Sequence, residues 1–320
     1  MKIKRKNDDS VNRKILTIAI PAFKNIETLE RAINSILKQD VKLLQKINIY
    51  VSVDASNNIL QVEQMLKKYA QVLDYNINVP GLGMADNWNN CVYNSQTEYV
   101  AILHDDDYLL PNYLTIVKEI IEKRQFDCIL FDHYFEIDGN IERKRNKHIA
   151  KLKNGKMQRL SHLEYWLGGY NYKTVPTCGI LFKRESFLKS GGYLKEEGYS
   201  ADESFMENFI RSGYKVFFYA KKTGVYTYTT NTNLSSQKNI QKKFLLENIK
   251  YREKVSRNIK KYNIYNRIFG KSITLYYAGP WIKDLMPEMI VTRVDKIKLK
   301  IYKCMVILWH GITCLNYRKI

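Results

Sequence analysis

The first 235 residues alternate between short apolar runs and stretches in which apolar side chains recur at helical spacing. Short continuous apolar runs are typical of strands buried on both faces, and their alternation with helices predicts an α/β fold with a parallel, doubly wound sheet. Asn25 stands where it can cap the helix after the first strand. The predicted strands are Ile15–Pro21, Ile47–Asp54, Leu73–Val79, a run that starts at Tyr99 and stops at Asp105, and Phe126–Phe131.

Further elements are predicted beyond the fifth strand. Between Asp138 and Leu160 the periodicity is lost and basic residues accumulate. This segment is either a solvated loop or a loop that folds over a phosphorylated substrate. Regular spacing then returns, and we expect a strand at Cys178–Phe182, a helix at Ala201–Arg211, and strands at Lys215–Tyr219 and Val225–Thr229.

Composition and charge divide the chain. After Ser235 the sequence becomes rich in Lys, Asn, Ile and Tyr with helical spacing. We expect a basic N-terminal tail over residues 1–14, an α/β domain over 15–235 and a helical, basic C-terminal region over 236–320. The formal charge is +20, and 19 Lys and Arg against 5 acidic residues place +14 of it in residues 235–320. Nucleic acid, an anionic membrane surface or an acidic substrate would each suit such a region.

The cysteines and the absence of long apolar runs bear on the compartment. The five cysteines are widely spaced and contain no CxxC pair, so neither a disulfide framework nor a zinc site is indicated. No secretory h-region and no run of about eighteen apolar residues is visible. We therefore expect a cytoplasmic protein, either free or peripheral at the inner face of the cell membrane.

The fourth predicted strand ends in three adjacent carboxylates, Asp105, Asp106 and Asp107. Adjacent carboxylates at the end of a buried strand repel one another, so a positive partner is expected against them. A divalent cation prefers oxygen ligands and can in turn hold a diphosphate. In open α/β sheets ligands bind beyond the carboxyl ends of strands, which is where these residues fall. The alternative is a solvated acidic turn close to a helix start.

Five motifs follow one another in the predicted domain. They are Leu16-Thr-Ile-Ala-Ile-Pro-Ala-Phe23, Val53-Asp-Ala-Ser56, Gly81-Leu-Gly-Met-Ala-Asp-Asn-Trp-Asn89, His104-Asp-Asp-Asp107, and Tyr199-Ser-Ala-Asp-Glu-Ser-Phe-Met-Glu207 with Gly213-Tyr214. In order and spacing they resemble the inverting family 2 glycosyltransferases of bacterial polysaccharide synthesis, over about Ile15–Ser235. The resemblance implies a GT-A (Rossmann-like) nucleotide-binding sheet, followed here by a basic helical extension.

The resemblance also implies roles for individual residues. Asp54 would accept a hydrogen bond from the imide of the base, and Asp107 would ligate Mn2+ or Mg2+ directly. Asp105 would act on the metal through water or on the ribose. Asp202 would be the catalytic base, with the adjacent Glu203 as its competitor. The remaining donor-binding residues implied by the motifs are Pro21, Ala22, Phe23, Asn25, Gly83, Asn87 and Asp106.

The implied function is transfer of a sugar, with inversion, from a nucleotide-sugar to a saccharide or lipid-linked acceptor. UDP is the expected nucleotide because Asp54 suits a pyrimidine imide, and dTDP offers the same edge. The chain departs from the family pattern at Val53, Asp86, His104, Ala201 and Thr229–Asn231, where the family often has an acid, an arginine, an acid, an acid and a histidine. His104 is therefore either a ligand or a histidine packed at a strand end.

Three alternatives remain open from the residues themselves. Asp202 and Glu203 could merely stabilise a helix N-terminus. The protein could be a catalytically inactive scaffold with this fold, or a protein that binds an anionic polymer; no nucleic-acid-binding motif is present, and no nucleic acid partner is expected. From Lys296 a basic helix carries Ile301, Met305, Leu308, Ile312 and Leu315 on one face. This helix either lies on an anionic membrane or packs on protein.

Overall fold

A computed structural model describes residues 14–142, 155–162, 178–228 and 287–316, together with part of the stretch 239–276. The chain forms two compact units. The first contains the described residues of Met1–His133, Pro176–Gly192 and Lys221–Tyr226. The second contains those of Tyr134–Val175, Tyr193–Ala220 and Thr227–Ile320.

Strands and helices largely alternate up to Cys128, as the apolar pattern predicts, and four described strands then follow one another. The strands are β1 (Leu16–Ala22), β2 (Ile47–Asp54), β3 (Asp74–Asn78), β4 (Tyr99–Ile102), β5 (Tyr108–Leu109), β6 (Cys128–Ile137), β7 (Asn140–Glu142), β8 (Met157–Arg159), β9 (Ile180–Lys183) and β10 (Val216–Tyr228). The helices are α1 (Ile26–Leu37), α2 (Val41–Leu44), α3 (Ile59–Lys67), α4 (Met84–Tyr93), α5 (Tyr113–Lys123), α6 (Arg184–Ser190), α7 (Ala201–Arg211) and the C-terminal helix (Arg293–Asn316), with a 3-10 helix at Lys195–Ser200.

The first unit is built on a mixed sheet with the strand order β3-β2-β1-β4-β9-β6-β10-β5. The strands β3, β2, β1 and β4 are parallel neighbours. Their central residues, such as Ile18, Val51 and Val100, are fully buried, as expected for strands covered on both faces. Each buried side chain of this size contributes about 1.5–3 kcal/mol through removal from water. The α/β fold predicted from the sequence is confirmed.

The sheet is not purely parallel, because one neighbour of β4 is an antiparallel strand. The fifth predicted strand, β6, does not pair with β4, because β9 lies between them and is antiparallel to both. An apolar run shows that a strand is buried but not which strand pairs with it. The strand that fills this place comes from residues about fifty positions later in the chain, so local periodicity could not predict the pairing.

A second difference concerns β10. We predicted two strands separated by a polar stretch, and the structure has one continuous strand across it. Within the first unit the Lys222 Nζ donates to Asp132 Oδ1 at 3.3 Å, so a polar residue inside the strand has a buried partner. Gly224 lies against Cys178, where a Cβ would come within 2.6 Å of the sulfur. Contacts with Asp132 and Cys178, which are distant in the chain, therefore stabilise as a strand a segment whose local sequence is typical of a turn.

The helix starts follow local chemistry. The Asn25 side chain accepts a hydrogen bond from Thr28 N at 3.4 Å, which confirms the predicted cap of α1. In the second unit, Thr292 and Asp295 form a reciprocal capping box at the start of the C-terminal helix, with side chain to backbone distances of 2.9 and 3.2 Å.

The C-terminal helix packs through Tyr302. This side chain is fully buried, and its ring lies 5.4 Å from Tyr276 and 6.3 Å from Phe269. Within the described part of the chain, no helix combines the length and apolarity needed to traverse a bilayer. The predicted loop at Asp138–Leu160 contains the strands β7 and β8, so the prediction is wrong at those residues. Its basic stretch at 143–154 and the predicted domain boundary near Ser235 lie outside the described residues, so both remain predictions.

Candidate active site

Three strand ends meet at one edge of the first unit's sheet. Ala22 at the end of β1 is in register with Val53 of β2, and β4 runs parallel on the other side of β1. β2 ends at Asp54, and the segments after β1 and β4 begin with Phe23 and Leu103, so the motifs predicted to bind a nucleotide share one edge. Phe23 N donates to Asp105 Oδ2 at 3.0 Å and joins the segments after β1 and β4.

Asp54 organises the turn before α4. Its carboxylate accepts hydrogen bonds from Leu82 N at 2.6 Å, Gly83 N at 2.9 Å and Ala55 N at 3.2 Å. Gly83 has a φ of +83°, and a Cβ at Gly81 would lie 3.1 Å from Asp54 Oδ1, so both glycines suit this close approach. A carboxylate offers about four acceptor positions, and these three backbone donors use all but one of that number.

Asn87 ties two strand ends to α4. Its Nδ2 donates to Ala22 O at 3.3 Å and to Ser52 O at 3.1 Å, and its Oδ1 accepts from Ser52 Oγ at 2.6 Å. Asn90 Nδ2 donates to the same hydroxyl at 2.8 Å, and Asn78 Nδ2 donates to it at 3.1 Å. Sequence reasoning found Asn87 but missed Ser52, Asn78 and Asn90, because only pairing between β2, β3 and α4 brings them together.

The aspartate segment is held by a residue that the sequence did not point to. Arg31 Nη2 donates to Asp106 O at 2.7 Å, and its guanidinium lies 4.8 Å from the centre of the Tyr108 ring. An arginine on a helix otherwise packed by apolar residues is an ordinary sequence feature, so no signal could have identified it. Its contact fixes the backbone between the second and third aspartates.

Three side chains are grouped as a metal site would require. One ligand atom each from His104, Asp106 and Asp107 lie within 4.8 Å of one another. Oxygen and imidazole donors at this spacing fit a divalent cation. Asp107 was predicted as a ligand, and this grouping is consistent with that role. Asp105 is not in the group, since its carboxylate accepts the Phe23 N–H instead.

Burial changes the titration of the same segment. Burial raises the pKa of the Asp105 carboxyl to about 7, the charge of Asp106 adds to the rise, and the Phe23 N–H opposes it. Burial lowers the pKa of His104, against the charge of Asp106. The His104 ring also stacks on Trp88, with centroids 5.0 Å apart and an interplanar angle of 29°. The imidazole is therefore neutral at neutral pH and fixed in orientation, as a metal ligand must be.

Asp202 belongs to the second unit, in the first turn of α7. Its Oδ1 accepts a hydrogen bond from Glu203 N at 2.8 Å. Burial raises the pKa of Asp202 to about 6, although hydrogen bonds from the backbone of Glu203 and of Asp202 itself lower it. A carboxyl with this pKa can take up a proton near neutral pH. The competing Glu203 side chain is buried.

The C-terminal region holds α7 and the 3-10 helix before it. Glu247 Oε2 accepts from Tyr199 N at 2.7 Å, and Lys254 Nζ lies 2.9 Å from Glu197 Oε1. The Tyr251 hydroxyl donates to Ser204 O at 3.0 Å and also contacts Glu207. These contacts link distant segments of the second unit, which the sequence could not predict.

One family model and two sequence relatives match the chain. The model of glycosyl transferase family 2 matches residues 17–190. An uncharacterized protein of Mycobacterium tuberculosis is 26% identical over 199 residues, which cover 58% of this chain and 59% of that one. An uncharacterized glycosyltransferase of Mycoplasma genitalium is 26% identical over 129 residues, covering 37% and 41%. The chain thus matches well under two thirds of either relative's length.

Solved structures share the fold. The structure of S. aureus TarS 1-349 in complex with UDP-GlcNAc matches with a TM-score of 0.58 and 13% identity, over 95% of this chain and 92% of that one. The mannosyltransferase PcManGT from Pyrobaculum calidifontis, in complex with GDP-Man and Mn2+, matches with a TM-score of 0.56 and 12% identity, over 98% and 90%.

Proposed function

The chain belongs to glycosyl transferase family 2, and we propose from this premise that it is a metal-dependent inverting glycosyltransferase of cell-surface polysaccharide synthesis. Its donor is a UDP-sugar or dTDP-sugar, and its acceptor is a saccharide or a lipid-linked saccharide. The observation that carries the proposal is the shared sheet edge of the first unit, where Asp54, Asp105 and the group His104, Asp106 and Asp107 follow neighbouring parallel strands.

The donor is held by the segments after β1, β2 and β4. Pro21, Ala22 and Phe23 close the end of β1, and Asn25 begins the helix that follows it. Asp54 fixes the turn at Gly83 and keeps an acceptor position for the imide of a pyrimidine base. Structural neighbours crystallised with UDP-GlcNAc and GDP-Man support a nucleotide-sugar donor in general terms.

His104, Asp106 and Asp107 are the residues that would hold Mn2+ or Mg2+, because their donor atoms converge. When bound, such a cation neutralises charge on the departing nucleoside diphosphate. The protein's own contribution is to position these donors: Arg31 fixes the backbone at Asp106, and Phe23 N holds Asp105 next to them. A Mn2+ ion in the mannosyltransferase neighbour supports the use of a divalent metal.

Asp202 is the proposed general base. The acceptor hydroxyl is a weak nucleophile and needs a group that removes its proton during attack. The raised pKa of Asp202 suits this task, and a single displacement at the anomeric carbon inverts its configuration. The proposed base lies at the start of α7, which Tyr251 contacts, and Glu247 and Lys254 contact the 3-10 helix before it.

A thermal-shift panel tests the donor class. UDP, dTDP, GDP and CDP are each added to the full chain with and without Mn2+. A nucleotide at a hundred times its Kd adds about 2.7 kcal/mol to the free energy of unfolding. We expect a metal-dependent shift with UDP or dTDP, and a shift with GDP alone would overturn the pyrimidine assignment.

Two variants separate an enzyme from an inactive scaffold. Asp107→Ala removes a proposed metal ligand, and Asp202→Ala removes the proposed base. Donor turnover should disappear in both, while the metal-dependent UDP shift should survive only in Asp202→Ala. No turnover by the unaltered chain with any donor, despite a nucleotide shift, would favour the scaffold.

We also propose that the C-terminal helix contacts an anionic lipid surface, which suits a lipid-linked acceptor. Its exposed apolar stripe is formed by Val294, Ile297, Ile301, Met305 and Leu308. At about 100° per residue these positions share one face, while Tyr302 packs on protein. A second copy would bring a like-charged region to the same stripe, whereas an anionic membrane complements the lysines.

Sedimentation with vesicles containing phosphatidylserine or only phosphatidylcholine tests this contact. We expect binding to the anionic vesicles at low salt, lost in the double variant Ile301→Ser and Leu308→Ser. A matched double variant, Lys42→Ser and Lys67→Ser, removes two lysines outside the helix and should still bind. Concentration-dependent dimerisation without sedimentation would overturn the proposal in favour of a second copy.

A further inference from the structure

The residue at position 104 makes the proposed metal centre chemically unusual. The ligand group contains the imidazole of His104 and the carboxylates of Asp106 and Asp107. An acidic residue at position 104 would have given oxygen donors alone. An imidazole nitrogen suits transition metals, whereas Mg2+ takes oxygen ligands and retains its water. A neutral histidine in place of an acidic residue at position 104 also lowers the negative charge of the ligand group by one.

The structure holds the imidazole in a ligand position. His104 follows the buried Leu103, the first residue after β4, and its ring stacks on Trp88 of α4 at 5.0 Å. A ring nitrogen of His104 lies within 4.8 Å of carboxylate oxygens of Asp106 and Asp107. A histidine that merely filled space at a strand end would not require a convergent pair of carboxylates.

We infer that His104 is a direct metal ligand and that it makes this centre select a transition metal, represented by Mn2+, over Mg2+. The inference rests on the proposed function, because the cation is the one expected to accompany the nucleotide-sugar. Trp88 acts as a positioning residue, since its ring stacks on the imidazole.

Pulsed electron paramagnetic resonance of the full chain loaded with Mn2+ reads the ligand directly. A coordinated imidazole gives a nitrogen hyperfine coupling to the Mn2+ electron spin. We expect this coupling in the unaltered chain, its loss in His104→Asp and in His104→Gln, and its retention in His162→Gln. The last variant is the matched control, because it removes a histidine that contacts Glu207 and lies outside the ligand group.

Competition between Mg2+ and bound Mn2+ measures selectivity. In His104→Asp, the Mg2+ concentration that displaces half of the Mn2+ should fall by about tenfold or more relative to the unaltered chain, because the nitrogen donor has been replaced by oxygen. Circular dichroism spectra and melting curves establish that each variant is folded. His104→Gln keeps a neutral side chain and serves as the second variant if His104→Asp does not fold.

The outcomes separate this inference from the proposed function. Mn2+ bound without a nitrogen coupling, unchanged selectivity in His104→Asp, or no Mn2+ binding at all would each overturn the inference. A metal-dependent nucleotide shift together with either of the first two results leaves the proposed function standing, whereas the absence of any Mn2+ binding contradicts both. A nitrogen coupling without any nucleotide shift would support His104 as a ligand and contradict the proposed function.

Discussion

Single residues in this protein often serve the structure and the proposed chemistry together. Asp54 accepts three backbone N–H groups of neighbouring segments and is also the residue expected to face a base. Asp105 is held by Phe23 N, although it looks equivalent to its neighbours in the sequence. Three adjacent aspartates therefore have different environments, and we expect their roles to differ.

The pH dependence of turnover should report Asp202. Burial raises the pKa of its carboxyl to about 6, and the base must be ionised to accept a proton. Activity should therefore fall as the pH drops below that value, by about tenfold per pH unit in kcat/KM. A pH profile between about pH 4.5 and 8 checks this. A profile that stays flat down to pH 5 would contradict the assignment.

Replacing the same residue should stabilise the fold. The pKa of Asp202 is raised from 3.8 to about 6 in the folded state, so the native state binds more protons than the unfolded state between these values. Stability is therefore lost as the pH rises through this window. Asp202→Asn removes the penalty and should raise the free energy of unfolding by about 1–3 kcal/mol at about pH 8.

Denaturant unfolding of both proteins measures this gain. It should shrink toward pH 4, where the carboxyl is largely protonated in both states. A negative charge in the first turn of a helix is worth about 0.3–1 kcal/mol, which offsets part of the gain. A variant less stable than the parent at about pH 8 would refute the buried, raised-pKa carboxyl.

Replacing Asn87 should lower the free energy of unfolding and weaken nucleotide binding. Asn87→Ala leaves two strand-end carbonyls, Ala22 O and Ser52 O, without this donor, and should cost about 2–4 kcal/mol in unfolding free energy. The UDP-induced thermal shift should be reduced as well. Asn94→Ala is the matched control, because Asn94 follows the same helix and is exposed. Equal stability losses in both variants would contradict the proposed tie between β1 and β2.

At the scale of elements, α7 depends on residues far along the chain. Its own sequence predicts the helix at the bounds the structure has, Ala201–Arg211. The partners of the helix are Tyr251 and the segment around it, which no local pattern indicates. An acidic, partly buried helix start needs such donors, because its carboxylates have left water.

Tyr251→Phe should weaken this support. Loss of the hydroxyl removes a donor from Ser204 O and from the buried Glu207, at a cost of about 1–3 kcal/mol. Turnover should fall, whereas the metal-dependent UDP shift should be retained. Tyr93→Phe, at an exposed tyrosine on α4, should change neither stability nor turnover. A fully active Tyr251→Phe variant would show that the hydroxyl does not position α7.

At the scale of the whole molecule, the C-terminal region is part of a compact unit and not a detached tail. The first unit contains no residue beyond Tyr226, whereas the second contains α7 together with the described residues of the C-terminal region. Removing that region should therefore impair turnover but not nucleotide binding.

A chain that ends at Ser235 tests this separation. It lacks Glu247, Tyr251 and Lys254, which contact α7 and the preceding 3-10 helix. We expect it to keep the metal-dependent UDP shift and to lose sugar transfer. Thermal shift and a donor-consumption assay measure the two properties. Transfer at the full rate by the shortened chain would show that the residues after Ser235 are not needed for sugar transfer.

The sequence by itself determined the order of the elements, the cap at Asn25 and the family, because apolar period, turn chemistry and motif order are local properties. It also located Asp54, Asn87 and the aspartate segment. Only the tertiary structure decided that β9 lies between β4 and β6, that Arg31 and Ser52 support the site, and that His104 and Asp106 converge with Asp107. The strand order and the contacts of Arg31 and Ser52 depend on pairing between residues far apart in the chain, and pairing leaves no trace in a single sequence's periodicity. The convergence of His104, Asp106 and Asp107 depends on the backbone conformation of one short segment, which periodicity does not specify either.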